Sequence, residues 1–403
     1  MTHLTKNINI FVPEYRFKKQ GNMSDEVHKG LDDVVVAESQ LSYIDGENGQ
    51  LLYRGYSIQD LAEYATFEEV LFLLFEGELP TKEQLDEFTA TIREERSLPD
   101  DVIETLRSLA AVDAHPMTAL RTGVSALEPH DPDQRLDPDR NVALSQGRRI
   151  LAKMPTILAA YERLRLGKEP LDPHPDLNLA ANFLYMLTGE EPDEIGAKSF
   201  DQALTLHADH GFNASTFTAV VIASTRANVY SAVTGGIGAL SGPLHGGANQ
   251  DVMEMLIEID ENGMDPIEWI EEARSNGERV PGFGHRVYKV KDPRAEILQE
   301  RSRELADVGE SKWYDYTTTI ENYLTEDLDL TENGIAPNVD FYSGSVYYQL
   351  GIPADMYTPI FAMSRASGWI AHVLEYQEEN RLIRPLSKYT GETDNEFISI
   401  EER

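Results

Sequence analysis

Beyond Ser57 the chain offers apolar residues at helical spacing in one segment after another, and almost nothing that alternates as a strand does. Strand-like runs are confined to the start: Val34 to Ser39, Leu41 to Ile44 and Leu51 to Arg54, with a Gly46-Glu47-Asn48-Gly49 turn. Ser57-Ile58-Gln59-Asp60 has the look of a capping box that starts the first helix. Val142 to Leu166 is a long amphipathic run, and Phe217 to Leu240 is rich in Ala, Ser, Gly and Thr. Small side chains let helices approach closely, so this last segment is expected deep in a helical core, at a subunit boundary. Pro129 to Pro138, dense in Asp and Pro, reads as a helix-breaking surface loop. No repeat of about 20 to 50 residues is evident. The expectation is a mainly α fold with a short N-terminal β-hairpin region, long enough at 403 residues to form two domains around a large core.

Three short segments interrupt the helices, and each isolates one ionisable side chain. Gly242-Pro243-Leu244-His245-Gly246-Gly247-Ala248-Asn249 sets His245 among glycines just before the helical run Ala248 to Ile259. A histidine at a helix start has its cation disfavoured by the dipole, so it can donate as neutral imidazole; it can equally be a simple cap. Pro281-Gly282-Phe283-Gly284-His285-Arg286-Val287-Tyr288 holds His285 between glycine and arginine. Pro337-Asn338-Val339-Asp340-Phe341-Tyr342-Ser343-Gly344 isolates Asp340 ahead of a helical pattern from about Ser343 to Leu350, where an N-cap is the ordinary role of an aspartate. Arg365 stands out differently. It lies within Ile360 to Leu374, an otherwise apolar and small-residue helix, where a charge without an anionic partner is costly. His207 and His210, three apart in Leu206-His207-Ala208-Asp209-His210-Gly211, could form a metal-binding pair on a helix, but no cysteine exists and no zinc pattern is present.

Together these segments resemble the catalytic segments of citrate synthase. The resemblance begins at Val34-Val35-Val36-Ala37-Glu38-Ser39 and passes through Ile44-Asp45-Gly46, Tyr53-Arg54-Gly55-Tyr56 and His115-Pro116-Met117 to Arg384-Pro385, covering residues 30 to 388. It implies a two-domain, citrate synthase-like helical fold that condenses acetyl-CoA with oxaloacetate and water to citrate and CoA. Asp340 would be the base that takes a methyl proton, His245 the donor to the thioester oxygen and His285 the acid facing the ketone. His210 matches a residue that contacts oxaloacetate, and Arg294, Arg365 and Arg384 match its carboxylate clamp, a task that suits planar guanidinium groups. The resemblance further implies a homodimer whose active sites are shared between subunits, with Arg384 reaching across from the partner. A large domain of residues 23–246 and 352–403 would carry a small one of residues 247–351 that closes over the substrates.

Both substrates are anions, yet seventy acidic residues stand against thirty-five basic ones, for a formal charge of −35. Residues 279–294 run against this trend, with Arg279, Arg286, Lys289, Lys291 and Arg294 facing only Asp292. A basic run is ordinarily a solvated face or nucleic-acid patch; here it encloses His285 and adjoins Arg294, which makes Arg286, Lys289 and Lys291 candidates for the CoA phosphates. The resemblance matches Lys289 to a basic residue near CoA. Nucleotide motifs of other kinds fail. Gly235-Gly236-Ile237-Gly238 follows a helix and lacks the third glycine of a dinucleotide fingerprint, and no phosphate-binding Gly-x-x-x-x-Gly-Lys-Ser/Thr loop occurs. No cofactor is implied, since acetyl-CoA and oxaloacetate are substrates.

Cysteine is absent, which removes disulfides and thiolate metal sites. No apolar run reaches the ~18 residues of a membrane span, and no signal segment leads the chain; a cytoplasmic protein is expected. The acids are spread through nearly every segment, and twenty-three arginines accompany only twelve lysines. Such self-repulsion destabilises a compact state in dilute buffer and suits a very salty cytoplasm, where the screening length falls to about 3 Å. It also argues against nucleic-acid and membrane partners. Residues 1–22 break the pattern, with Lys6, Arg16, Lys18 and Lys19 against Glu14 alone. They read as a disordered N-terminal extension or an upstream start, with a basic targeting arm as the alternative. Two other functions compete: a 2-methylcitrate synthase using propionyl-CoA, since one methylene shifts discrimination by only about 1–3 kcal/mol, and a non-catalytic relative acting as a binding protein.

Overall fold

The computed structural model describes residues 27–31, 34–134 and 139–403; the expected extension at 1–22 and the end of the Asp/Pro loop, 135–138, lie outside the described residues. The chain divides into two units, residues 1–38 with 384–403, and residues 39–383. Within the first, Lys29–Leu31 make a single 3₁₀ turn and the remaining described backbone is irregular apart from a closing turn. There the Arg403 guanidinium donates to the Ile398 carbonyl (3.0 Å) and lies over the Phe397 ring at 5.6 Å.

The second unit opens with a three-stranded antiparallel sheet in the order β1 (Ser42–Asp45), β2 (Gln50–Tyr53), β3 (Tyr56–Ser57). Ser42 pairs with Tyr53 and Asp45 with Gln50, so the 46–49 turn connects β1 to β2 as expected. Two expectations are corrected. Residues 34–39 form no strand, and a third, two-residue strand follows a backbone reversal at Arg54-Gly55, both of positive φ.

The regular elements after the sheet are helices: α1 (Ile58–Tyr64), α2 (Phe67–Glu76), α3 (Lys82–Glu94), α4 (Asp100–Ala110), α5 (Pro116–Leu127), α6 (Arg140–Arg165), α7 (Leu179–Thr188) and α8 (Glu194–His207). There follow α9 (Ala214–Ser224), α10 (Val229–Leu240), α11 (Ala248–Asn262), α12 (Pro266–Ser275), α13 (Pro293–Val308), α14 (Lys312–Asn322), α15 (Val339–Gln349) and α16 (Tyr357–Glu378). Starts are set by short polar side chains that bond the exposed N–H groups of the first turn, including Ser57, Thr66, Thr81, Asn178, Asp193, Asn213 and Asn228. Phe217 to Leu240 is two helices, because Asn228 offers a cap that restarts the chain after Arg226 turns it at φ 68°.

The core centres on α16, whose residues from Tyr357 to Leu374 are buried apart from Phe361 and which packs on α6, α9, α10 and α2. Each fully buried Leu, Ile or Val there contributes roughly 1.5–3 kcal/mol through removal from water. A second cluster of contacts joins α11, α13 and α14 to α15, and α12 to α14, and it reaches the first through α13 on α8 and α11 on α16. The turn that carries His245 joins α10 of the first cluster to α11 of the second, and Asp340 is at the start of α15. Among the described residues, no helix is long and apolar enough to cross a membrane.

Candidate active site

The 282–284 and 336–338 segments are fastened side by side. Gly284 N–H donates to the Ala336 carbonyl (2.9 Å), Asn338 N–H to the Gly282 carbonyl (2.9 Å), and the Asn338 side-chain amide to the Gly284 carbonyl (3.0 Å). Gly282 is at φ 76°, and a Cβ there would stand 2.8 Å from Phe341 and Val252. That close approach draws the His285 segment onto the start of α15, where Asp340 sits. The remaining Asn338 oxygen accepts from the Asp340 N–H (3.0 Å). The helix cap is thus Asn338, which corrects the N-cap alternative for Asp340 and leaves its carboxylate free of that duty. Burial pushes the Asp340 carboxyl up to about 6, against the opposing pull of Arg294 and Arg365.

His285 accepts at Nδ1 from the N–H groups of Val287 (3.0 Å) and Tyr288 (3.1 Å). Backbone N–H can only donate, so the ring proton resides on Nε2. Burial, with Arg294 next in weight, lowers this imidazole to about 4. His245 is in the turn between α10 and α11, two residues ahead of the Gly247 cap. Its contact with a helix start is therefore with a different helix from the one expected: Nε2 accepts from the N–H of Ser215 in the first turn of α9 (3.1 Å) and meets Ser215 Oγ at 2.8 Å. The proton falls to Nδ1. Burial and then Arg365 lower His245 to about 4. The Trp369 indole N–H donates to the same Ser215 Oγ (3.1 Å), steadying it.

Arg294 and Arg365 are both buried, 2% exposed. Arg294 in the first turn of α13 is gripped by Asp292 through Nε (3.0 Å) and Nη2 (2.7 Å), which holds its charge firmly despite burial. Arg365 donates from Nε to the His207 carbonyl (2.8 Å), and its guanidinium carbon is 4.6 Å from the centre of the Phe361 ring. Burial pulls it down to about 10, with Asp209 opposing. His210 lies after α8 rather than on it, which corrects the picture of two histidines on one helix. Its ring is edge-on to His285 at 5.4 Å, and Nε2 is 3.3 Å from the Tyr288 hydroxyl. Burial and Arg294 hold it well below the usual imidazole range. His207 is in the core, its Nδ1–H donating to the Ala203 carbonyl (2.7 Å). Among the described residues no group of three or more His, Asp or Glu is placed to hold a metal.

A cavity of about 500 Å³ opens beside His285, with Phe283, Leu324 and Leu330 along its walls and Arg274, Arg279 and Arg286 among its charged lining. Lys289 is exposed, while the Lys291 ammonium is committed to Gln299 (2.7 Å) and the buried Glu321. Arg384 is exposed and belongs to the other unit. Three contributors escaped the sequence reading. Asp292 and Tyr288 were inside segments already singled out, and their partners on neighbouring positions could have flagged them; Ser215 carried no signal, because its role depends on α9 meeting the 241–247 turn.

The family model described as citrate synthase, C-terminal domain, matches residues 30–386. Over 384 residues the chain is 56% identical to the citrate synthase of Haloferax volcanii, covering 94% of this chain and all of that one. The solved citrate synthase from Pyrobaculum aerophilum superposes with TM-score 0.87 at 42% identity, covering 93% of this chain and 95% of that one. A ternary complex of carboxymethyl coenzyme A and oxaloacetate with citrate synthase from Thermoplasma acidophilum gives 0.86 at 33%, covering 94% and 100%. Matched nearly from end to end in sequence and in backbone, the chain belongs to the citrate synthase family.

Proposed function

We propose that this protein condenses acetyl-CoA with oxaloacetate and hydrolyses the thioester, releasing citrate and CoA. The observation that carries the reading is that two buried arginines link the three groups, Arg294 acting on Asp340 and His285 and Arg365 on Asp340 and His245, with Asn338 tying the His285 segment to Asp340, while the carboxyl is raised to about 6 and both imidazoles are lowered to about 4. Groups pushed apart in this way divide into base and donors. Asp340 removes a proton from the acetyl methyl while His245, its Nε2 held by Ser215, donates from Nδ1 to the thioester oxygen as negative charge grows there. The methyl carbon then attacks the ketone of oxaloacetate. His285 gives its Nε2 proton to the new alkoxide, and water cleaves the thioester to free CoA. Arg294, fixed by Asp292, and Arg365 bind the oxaloacetate carboxylates, with His210 alongside.

The subunits act as a homodimer, Arg384 of each completing the clamp of the other, and the 247–351 domain closes over the substrates. CoA lies along the cavity beside His285, its phosphates met by Arg286 with Lys289 near the rim; the Lys291 ammonium, paired with Glu321, is left to hold the fold. The protein works in the cytoplasm at high salt. Thiol release decides the chemistry: acetyl-CoA and propionyl-CoA are each supplied with and without oxaloacetate in ~2–4 M KCl, chosen for its short screening length. Oxaloacetate-dependent release with acetyl-CoA preferred is expected. Preference for propionyl-CoA would make the protein a 2-methylcitrate synthase, and no release from either would leave a binding protein.

A further inference from the structure

Helix α16 reads the turn at residues 207–211 with one face. Arg365, Gly368 and His372 follow each other at spacings of three and four, so all three look the same way. Arg365 bonds the His207 carbonyl, Gly368 N–H donates to the Ala208 carbonyl (3.0 Å), and a Cβ on Gly368 would strike Asp209 Oδ1 at 2.4 Å. His372 completes the face. Its Nε2 is 3.2 and 3.3 Å from the two oxygens of Asp209, and its ring meets Phe212 edge-on at 5.2 Å. A carboxylate only accepts, so Nε2 carries the proton.

Asp209 is fully buried, and its donors gather on Oδ2 and the backbone carbonyl, while Oδ1 has only the approach of His372. Oδ2 takes the Gly211 N–H (3.1 Å) and the Ser42 hydroxyl, while the Asp209 carbonyl takes the Tyr53 hydroxyl (2.8 Å). A buried carboxylate with this many donors stays ionised and rigid. Its neighbour in sequence is His210, whose ring faces His285 and Tyr288.

We propose that Asp209 and His372 are a positioning pair for the oxaloacetate side of the site: the His372 imidazole, through the Asp209 carboxylate, fixes the turn that presents His210 and backs the charge of Arg365. This rests on the condensation reading above. The acetyl-CoA side is held by other groups, His245 by Ser215, which Trp369 on a neighbouring position of α16 steadies, and Asp340 by the start of α15. Loss of the pair therefore separates the two substrates. His372→Leu keeps an apolar side chain against Phe212 but removes the donor, and His372→Gln returns an N–H at about the reach of Nε2.

The test combines steady-state kinetics with calorimetric oxaloacetate binding in high salt. His372→Leu should weaken oxaloacetate about tenfold in both KM and Kd, the scale of one lost bond to a charged acceptor, with KM for acetyl-CoA within about twofold. His372→Gln should recover most of that loss. Should His372→Leu fail to fold, Ser42→Ala, which removes another donor to the same oxygen at the surface-proximal sheet, should weaken oxaloacetate about threefold. Unchanged oxaloacetate binding in a folded His372→Leu or Ser42→Ala protein overturns the proposal, as does equal weakening of both substrates or a glutamine that restores nothing. Wild-type protein that binds oxaloacetate without turnover would sink the condensation reading alone, leaving the binding comparison to judge the pair.

Discussion

As the proposed base, Asp340 combines two demands that oppose each other: a base must be ionised to accept a proton, yet basic enough to hold it. Burial raises it to about 6 from 3.8, which serves the second demand at some cost to the first. His245 and His285, near 4, stay neutral across the range where Asp340 titrates. The acid limb of kcat/KM should therefore show one proton with a midpoint near 6, activity being present above it and lost below; a two-proton limb would bring a histidine into the titration. Asp340→Asn keeps the shape and removes the base, so kcat should fall on the order of 10²–10⁴-fold with oxaloacetate still bound. Stability should move the other way. A carboxyl raised on folding is penalised where it is ionised, so the asparagine variant should melt higher than wild type above pH 6, and the gain should vanish as pH falls toward the unfolded value of 3.8. Melting curves at pH 8 and pH 4 check the sign.

At the scale of elements, the site depends on how loops are fastened to helix starts. Gly282→Ala puts a methyl 2.8 Å from Phe341 at a φ that disfavours any side chain, so it should destabilise by about 1–3 kcal/mol and lower kcat further than the melting temperature alone explains. Normal turnover in that variant would show that the 282–284 and 336–338 pairing does not position His285. Much of this level was legible in the sequence. Helical spacing placed α6, α11 and α16 within a few residues of their ends, and glycine and proline around His245, His285 and Asp340 marked the loops. What escaped is tertiary in origin. Residues 34–39 have strand-like side chains but no strand to pair with, and the break between α9 and α10 depends on Asn228 capping where composition alone continues one helix. The partners of the site escaped for the same reason: Ser215 holds His245 from thirty residues away, and the tie-up of Lys291, in the segment before α13, needs Glu321 from α14.

At the scale of the whole molecule, the net charge and the proposed dimer each carry a prediction. With seventy acids against thirty-five bases, repulsion in 50 mM buffer acts over a distance that molar salt shortens to about 3 Å. Far-UV circular dichroism and turnover should both collapse on dilution from molar KCl, and a protein indifferent to that dilution would show that local pairs such as Arg149–Asp131 (2.7 Å) suffice against the net charge. Assembly is tested by Arg384. If each subunit lends this guanidinium to its partner, Arg384→Ala is inactive as a homodimer, and so is His285→Ala. In a two-fold dimer the same surface serves both copies, so a heterodimer of the two variants collects both defects in one site and restores the other complete. A purified, doubly tagged heterodimer should then regain about half the activity of a wild-type dimer, as one intact site in two requires. No recovery in a heterodimer that is folded in high salt would assign Arg384 to its own subunit's site or remove it from the chemistry, because only a contribution in trans lets two dead chains make one live site.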